Sequence, residues 1–229
     1  MLRSAMKRNL AAINERIARA CDKANRDPQS VTLVGVSKTV GREAVDAAYE
    51  AGLRHFGENR VQDAIQKFAE PMPSDAVLHM IGQLQSNKAS QALKLFHVFE
   101  SVDRPSIIAE LDRQAAKLER DVPVLLEVNV AGEAQKAGCQ QADAATLAKQ
   151  VVASQRLQLM GLMTIAPLVN DPEAVRSIFA GLRTLRDCLV QSGLAPELPV
   201  LSMGMTNDFE IAIEEGATEV RVGRALFTL

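Results

Sequence analysis

Val31-Thr32-Leu33-Val34-Gly35-Val36-Ser37-Lys38 is an apolar run that closes on an amine, and a helical pattern over Glu43 to Glu50 follows it. Side chains alternate along a strand, so Val34, Val36 and Lys38 share one face. If that face lines a sheet interior, burial disfavours the ammonium form of Lys38 and leaves a free amine able to form a Schiff base with an aldehyde. On position alone, a solvated lysine at a strand rim is the competing reading.

Outward from this run the same alternation repeats. Arg54 to Phe56 precedes a helical pattern over Val61 to Phe68, and Val77 to Ile81 precedes Lys88 to Leu95. His97 to Phe99 leads into Ile107 to Leu118, Val122 to Val130 into Asp143 to Val152, and Leu157 to Met163 into Glu173 to Leu189. Leu198 to Leu201 then precedes Asp208 to Glu215, and Glu219 to Val222 precedes a short tail. Strands alternating with helices in this way predict a (β/α)8 TIM barrel, with an open doubly wound sheet as the alternative. No Gly-x-Gly-x-x-Gly follows the first strand, so the usual dinucleotide signal is missing. An extra helix, with Ile13, Ile17, Ala20 and Cys21 at helical spacing, runs from Ala5 to about Asn25 and stops before Asp27-Pro28.

At 229 residues, 47% of them hydrophobic, the chain can bury a full core, and residues 1–229 are expected to form one domain. Its 26 Lys and Arg nearly balance 28 Asp and Glu without a run of like charge, which argues against nucleic acid or a membrane surface as partner. The N-terminal segment has the pattern of neither a signal peptide nor a membrane span, so a cytoplasmic location is expected. Cys21, Cys139 and Cys188 are odd in number and lack metal-ligand spacing; they read as packing residues, and no metal is expected. A closed barrel leaves no sheet edge to pair, which favours a monomer.

In a barrel of this class the chemistry lies at the carboxyl ends of the strands, and the unusual motifs fall there. Ser202-Met203-Gly204-Met205-Thr206 ends strand seven, and Arg221-Val222-Gly223-Arg224 ends strand eight. Glycines admit an anion close to the backbone, and helix N-termini aim N–H groups at it, so Ser202, Gly204, Gly223 and Arg224 suit a phosphate. Tight strand-to-helix turns alone would also explain the glycines. A lysine for an aldehyde facing an anion cradle points to pyridoxal 5'-phosphate. Arg221 is placed to donate to the pyridine nitrogen, or else to pair with an acid such as Glu219. His79 within strand three approaches the far side of the site or serves as a hydrogen-bonded packing residue. Lys88 and Lys136 at the mouth read as steering or solvated charges, with Glu58 and Glu133 as their expected partners.

Val34-Gly35-Val36-Ser37-Lys38, His55-Phe56-Gly57-Glu58-Asn59-Arg60-Val61-Gln62, Ile81-Gly82-Gln83-Leu84-Gln85-Ser86-Asn87-Lys88, Gly161-Leu162-Met163-Thr164, Leu201-Ser202-Met203-Gly204-Met205 and Val220-Arg221-Val222-Gly223 together resemble the pyridoxal phosphate homeostasis proteins. That family is similar to the barrel domain of alanine racemases, the type III fold of pyridoxal enzymes. The resemblance implies Lys38 as the Schiff-base lysine, Arg221 as partner of the pyridine nitrogen, and Ser202, Gly223 and residue 224 as phosphate ligands. It also implies Asn59 and Met163 beside the ring, with Met203 and Gly204 in the same binding loop. Where the family places Thr or Ser, this chain has Arg224, which leaves either a charged phosphate contact or binding by backbone N–H groups alone.

Racemisation needs a base on each face of the α-carbon. Tyr49, the chain's one tyrosine, falls in an outer helix where it cannot reach the mouth. The expected function is therefore to hold pyridoxal phosphate and deliver it to apo-enzymes, without robust catalysis. An amino-acid racemase-like enzyme is the alternative, and a Schiff-base aldolase on the same barrel is a further rival.

Overall fold

The computed structural model describes residues 2–133, 135–195 and 197–228, so Ala134 in the fifth loop and the terminal Leu229 lie outside the described residues. Eight parallel strands close into a barrel in sequence order: β1 (Thr32–Val36), β2 (His55–Glu58), β3 (Val77–Met80), β4 (Val98–Val102), β5 (Val122–Glu127), β6 (Leu157–Met163), β7 (Val200–Ser202) and β8 (Glu219–Val222). Closure is made by β1 on β8, with Leu33 beside Val220 and Gly35 beside Val222. The expected TIM barrel is thus the fold. Around it run α2 (Arg42–Glu50), α3 (Val61–Lys67), α4 (Ala89–Leu93), α5 (Pro105–Lys117), α6 (Ala144–Val152), α7 (Arg176–Gln191) and α8 (Phe209–Glu214), and a final turn of helix, α9 (Arg224–Phe227), follows β8.

The leading helix α1 (Leu2–Lys23) buries Met6, Leu10, Ile13, Ile17, Ala20 and Cys21, a stripe at helical spacing, and packs on α2, α8 and α9. Asn9 Nδ2 donates to the carbonyls of Leu226 at 2.9 Å and Thr228 at 2.8 Å, which ties α9 to α1. Among the described residues no helix is long and apolar enough to cross a membrane. Cys21 and Cys139 are buried as expected of packing residues, whereas Cys188 is exposed, on the solvent side of α7.

Apolar packing fills the space between strands and helices, with Phe56, Phe99, Phe179 and Phe209 among its largest fully buried side chains. The barrel's own interior is different. Glu100 of β4 meets Ser202 of β7, strands that are not neighbours in the sheet, so their contact crosses the lumen. TIM barrels ordinarily fill this space with branched apolar residues. Here His79, Glu100, Ser202, Glu219 and Arg221 occupy it, all buried.

Two departures from the expected boundaries have local causes. β4 continues past Phe99 to Val102, because Glu100 breaks the apolar run without breaking the strand. β1 stops at Val36 and Ser37 bonds across to β2 through its N–H and the Gly57 carbonyl (3.0 Å), so Lys38 begins a turn.

The backbones of β6 and β7 approach closely at Gly161. A methyl on Gly161 would lie 1.8 Å from the Val200 carbonyl oxygen, so only glycine fits this register. Gly161→Ala should cost at least about 1–3 kcal/mol through overpacking. Urea unfolding, with midpoint and slope compared with wild type, measures it.

Candidate cofactor site

The sequence-predicted residues gather at one end of the barrel, on a continuous arc of strands. Met163 ends β6 and sits beside Ser202 of β7, Arg221 lies near the end of β8 with Gly223 just after it, Lys38 follows β1, and Asn59 follows β2. In the closed order β6-β7-β8-β1-β2 these are successive neighbours. His79 on β3 and Lys136 beyond β5 lie outside that arc.

Lys38 is exposed, contrary to the expected burial of its amine, because it occupies the turn beyond β1 rather than the strand itself. What is buried lies beneath it. Glu58, on the outer face of β2, accepts from Ser37 Oγ at 2.6 Å and from Lys67 Nζ at 2.6 Å, and Lys67 also donates to the Ser37 carbonyl at 2.6 Å. This cluster anchors the backbone directly before Lys38 to α3. Glu58 is thereby paired with Lys67 and not with Lys88 or Lys136, while Glu133 does pair with Lys136 at 2.7 Å.

Arg221 is 4% exposed and makes no contact of the kind expected with Glu219. Its Nη1 donates to Ser202 Oγ at 2.5 Å, its Nη2 to the Thr164 carbonyl at 2.7 Å, and Glu100 Oε2 lies 3.9 Å away. Ser202 Oγ in turn donates to Glu100 Oε2 at 2.6 Å. A hydroxyl has one proton to give, and here it is given inside the barrel. The Ser202 hydroxyl is therefore committed away from any phosphate at the mouth. Met203 packs into the apolar core, with its N–H on the Glu219 carbonyl.

The turns after β7 and β8 are close-packed backbone. Gly204 has φ +94°, and a Cβ there would lie 2.6 Å from the Ala212 Cβ and 2.8 Å from the Phe209 Cα. Its carbonyl accepts from the Arg221 N–H at 3.0 Å, which holds the two turns together. Gly223 precedes α9, whose first N–H groups have no partner within the helix. The Arg224 side chain is exposed at the start of α9.

Deeper in the lumen His79 Nδ1 lies 2.7 Å from Glu100 Oε1 and 3.8 Å from Glu219 Oε2, and His79 Nε2 lies 3.0 Å from His55 Nδ1. Burial works against a charge on His79, but the Glu100 hydrogen bond and charge outweigh it and raise the imidazole above its usual range. His55 goes down to about 4, through burial and then the neighbouring His79 charge. One proton arrangement fits both: charged His79 donates from Nδ1 to Glu100 and from Nε2 to neutral His55. Burial first, and the Glu100 charge second, push Glu219 up to about 8.

Sequence reasoning missed Glu100 and Glu127. Each is an acid at an inward position of its strand, a signal that alternation alone could have flagged. Glu127, at the mouth end of β5, hydrogen-bonds Gln83, and burial followed by the charge of Asp103 pushes it up to about 7. A cleft of about 600 Å³ beside the site runs between the β2 and β3 loops, lined by Asn59, Arg60, Gln83 and Lys88 among others.

Comparison with known proteins fits this geometry. The alanine racemase N-terminal domain family matches residues 8–229. Pyridoxal phosphate homeostasis proteins of Aquifex aeolicus and Pseudomonas aeruginosa are 41% and 43% identical to the chain, over 95% and 98% of it and 95% of each relative. The chain belongs to the pyridoxal phosphate homeostasis protein family. The structure of PipY of Synechococcus elongatus, solved with pyridoxal phosphate bound, superposes with a TM-score of 0.81 at 41% identity, covering 94% of this chain and 99% of that one.

Within this family fold, Glu127 gives a measurable pH signature. Its carboxyl titrates near 4.5 when unfolded and about 7 when folded, so between those values the folded state holds more protons and stability falls as pH rises. Glu127→Gln should remove that fall, up to about 1.4 kcal/mol per pH unit relative to wild type. Parallel urea unfolding of the two proteins from pH 4.5 to 8 reads the difference, which should grow as pH rises.

Proposed function

We propose that the chain holds pyridoxal 5'-phosphate through Lys38 and delivers it to apo-enzymes as part of intracellular pyridoxal phosphate homeostasis, without robust catalysis. The observation that carries the proposal is the likeness to PipY with pyridoxal phosphate bound, which runs along 94% of the chain. The residues here suit that group. Lys38 stands exposed on a turn anchored from below, next to the ends of β8 and β2. The Lys38 nitrogen would add to an aldehyde carbon and form a C=N bond, with the carbonyl oxygen released as water. Bound pyridoxal phosphate supplies that aldehyde.

The anion falls to the turns after β7 and β8. Gly204, Gly223 and the first N–H groups of α9 offer backbone donors, and Arg224 stands exposed beside them. Since the Ser202 proton is spent on Glu100, these backbone donors and Arg224 are the groups left for the anion. Arg221, all donors and fixed from behind, is matched to an unprotonated pyridine nitrogen. Met163 and Asn59 flank the ring on the adjoining strands. An exposed lysine at an open mouth favours transfer to another protein over retention.

A second reading, weak α-proton exchange on an amino acid, draws on Glu127, whose carboxyl sits near neutrality at the mouth. Incubation of single amino-acid enantiomers in deuterated water tests it by α-proton loss. Tyr49 offers no help there, since its hydroxyl meets Asp75, just ahead of β3 and at the opposite end of the barrel.

Lys38→Ala should abolish the mass added by pyridoxal phosphate after borohydride reduction, with peptide mapping placing the wild-type adduct on Lys38. Weaker, reversible binding by the phosphate turns should persist in equilibrium dialysis; loss of both would overturn the cradle assignment.

A further inference from the structure

Arg221 cannot shed its proton, so a guanidinium 4% exposed in the barrel lumen needs an anion within reach. Glu219, two residues away on the same strand, is the obvious candidate from sequence. Its Oε1 is buried without a hydrogen-bond partner among the described residues, and its carboxyl is held largely neutral near pH 7. Glu100, from the far side of the barrel, makes the contact instead. Its Oε2 takes the Ser202 proton at 2.6 Å and lies 3.9 Å from Arg221 Nη1, while its Oε1 takes the His79 proton at 2.7 Å.

Direction follows from proton count. Ser202 gives its one proton to Glu100, so toward Arg221 it can only accept, and it does so from Nη1 at 2.5 Å. Thr164 takes Nη2 at 2.7 Å. Held on two nitrogens by two strand ends, the planar guanidinium has no rotation left, and its remaining N–H groups have a fixed aim.

We propose that Glu100 is a positioning residue for the cofactor ring, acting through Ser202 Oγ to fix the Arg221 guanidinium against the pyridine nitrogen. This rests on the assignment of Arg221 to that nitrogen made above. The groups that face Glu100 are His79 from β3, Ser202 from β7, and Glu219 and Arg221 from β8; His55 of β2 stands behind His79, and Glu127 of β5 contributes its charge. A role confined to stability would leave the electronic state of the ring unaltered. A positioning role changes it.

The experiment compares wild type, Glu100→Gln, Ser202→Ala and Arg221→Gln, each loaded with pyridoxal 5'-phosphate, by absorption spectrum and its titration with pH. Glu100→Gln keeps the volume and removes the charge; Ser202→Ala keeps both charges and removes the bridge, so it carries the test if Glu100→Gln fails to fold. In the unloaded proteins, the His79 ring is followed by NMR, where Glu100→Gln should lower its titration midpoint, since the hydrogen bond and charge that raise it are lost. The loaded Glu100→Gln and Ser202→Ala proteins should shift the absorption band in the direction Arg221→Gln does, and Glu100→Gln/Arg221→Gln should shift it no further than Arg221→Gln alone. Folded, loaded variants at Glu100 and Ser202 with a wild-type band would overturn the positioning role and leave the cofactor reading standing. So would a Glu100→Gln shift that adds in full to that of Arg221→Gln. A wild-type protein that takes up no pyridoxal phosphate would bring down both.

Discussion

A permanent positive charge inside a barrel is the constraint around which this molecule is arranged. Moving a guanidinium out of water costs several kcal/mol even after relaxation, and removing the partner of a buried pair typically costs about 3–5 kcal/mol. The chain meets that cost with Glu100, the Ser202 hydroxyl and the Thr164 carbonyl, drawn from β4, β7 and the end of β6. Glu100 in turn needs His79, which leans on His55. His55, His79, Glu100, Ser202 and Arg221 are thus one connected set of hydrogen bonds, and the apolar core is displaced to the ring between strands and helices.

This arrangement divides the site into two mechanical halves. Arg221 is fixed from inside, by groups that do not reach solvent. Lys38 is fixed from outside, by the Glu58–Lys67 pair that clamps the Ser37 backbone to α3, and its own side chain is free at the surface. Between them, the turns at Gly204 and Gly223 are held by backbone contacts and, through Asn9, by the leading helix. The floor is thus braced by buried groups, while the Lys38 amine projects to the surface.

The fold was legible because parallel βα units leave short, strongly apolar strands between helices of 3.6-residue period; β6 and β8 could be read off to the residue. The arc of site residues was legible for a related reason: strand ends are where this architecture places chemistry. What could not be read is how groups meet across the lumen. Glu100 and Ser202 are 102 residues apart, and no local pattern encodes that they touch. Reasoning along a single strand accordingly offered Glu219, its neighbour on the same face, as the alternative partner of Arg221. It also carried β1 two residues too far, since apolar alternation does not mark where Ser37 bonds across to Gly57 and the chain begins to turn.

The clamp around Ser202 also limits how such a chain can change over generations. Exchanging the acid at 100 alone strands the Arg221 charge in a dry interior, whereas Glu100 without Arg221 still has His79. Drift is therefore ordered: position 221 is free to change before position 100, but not the reverse.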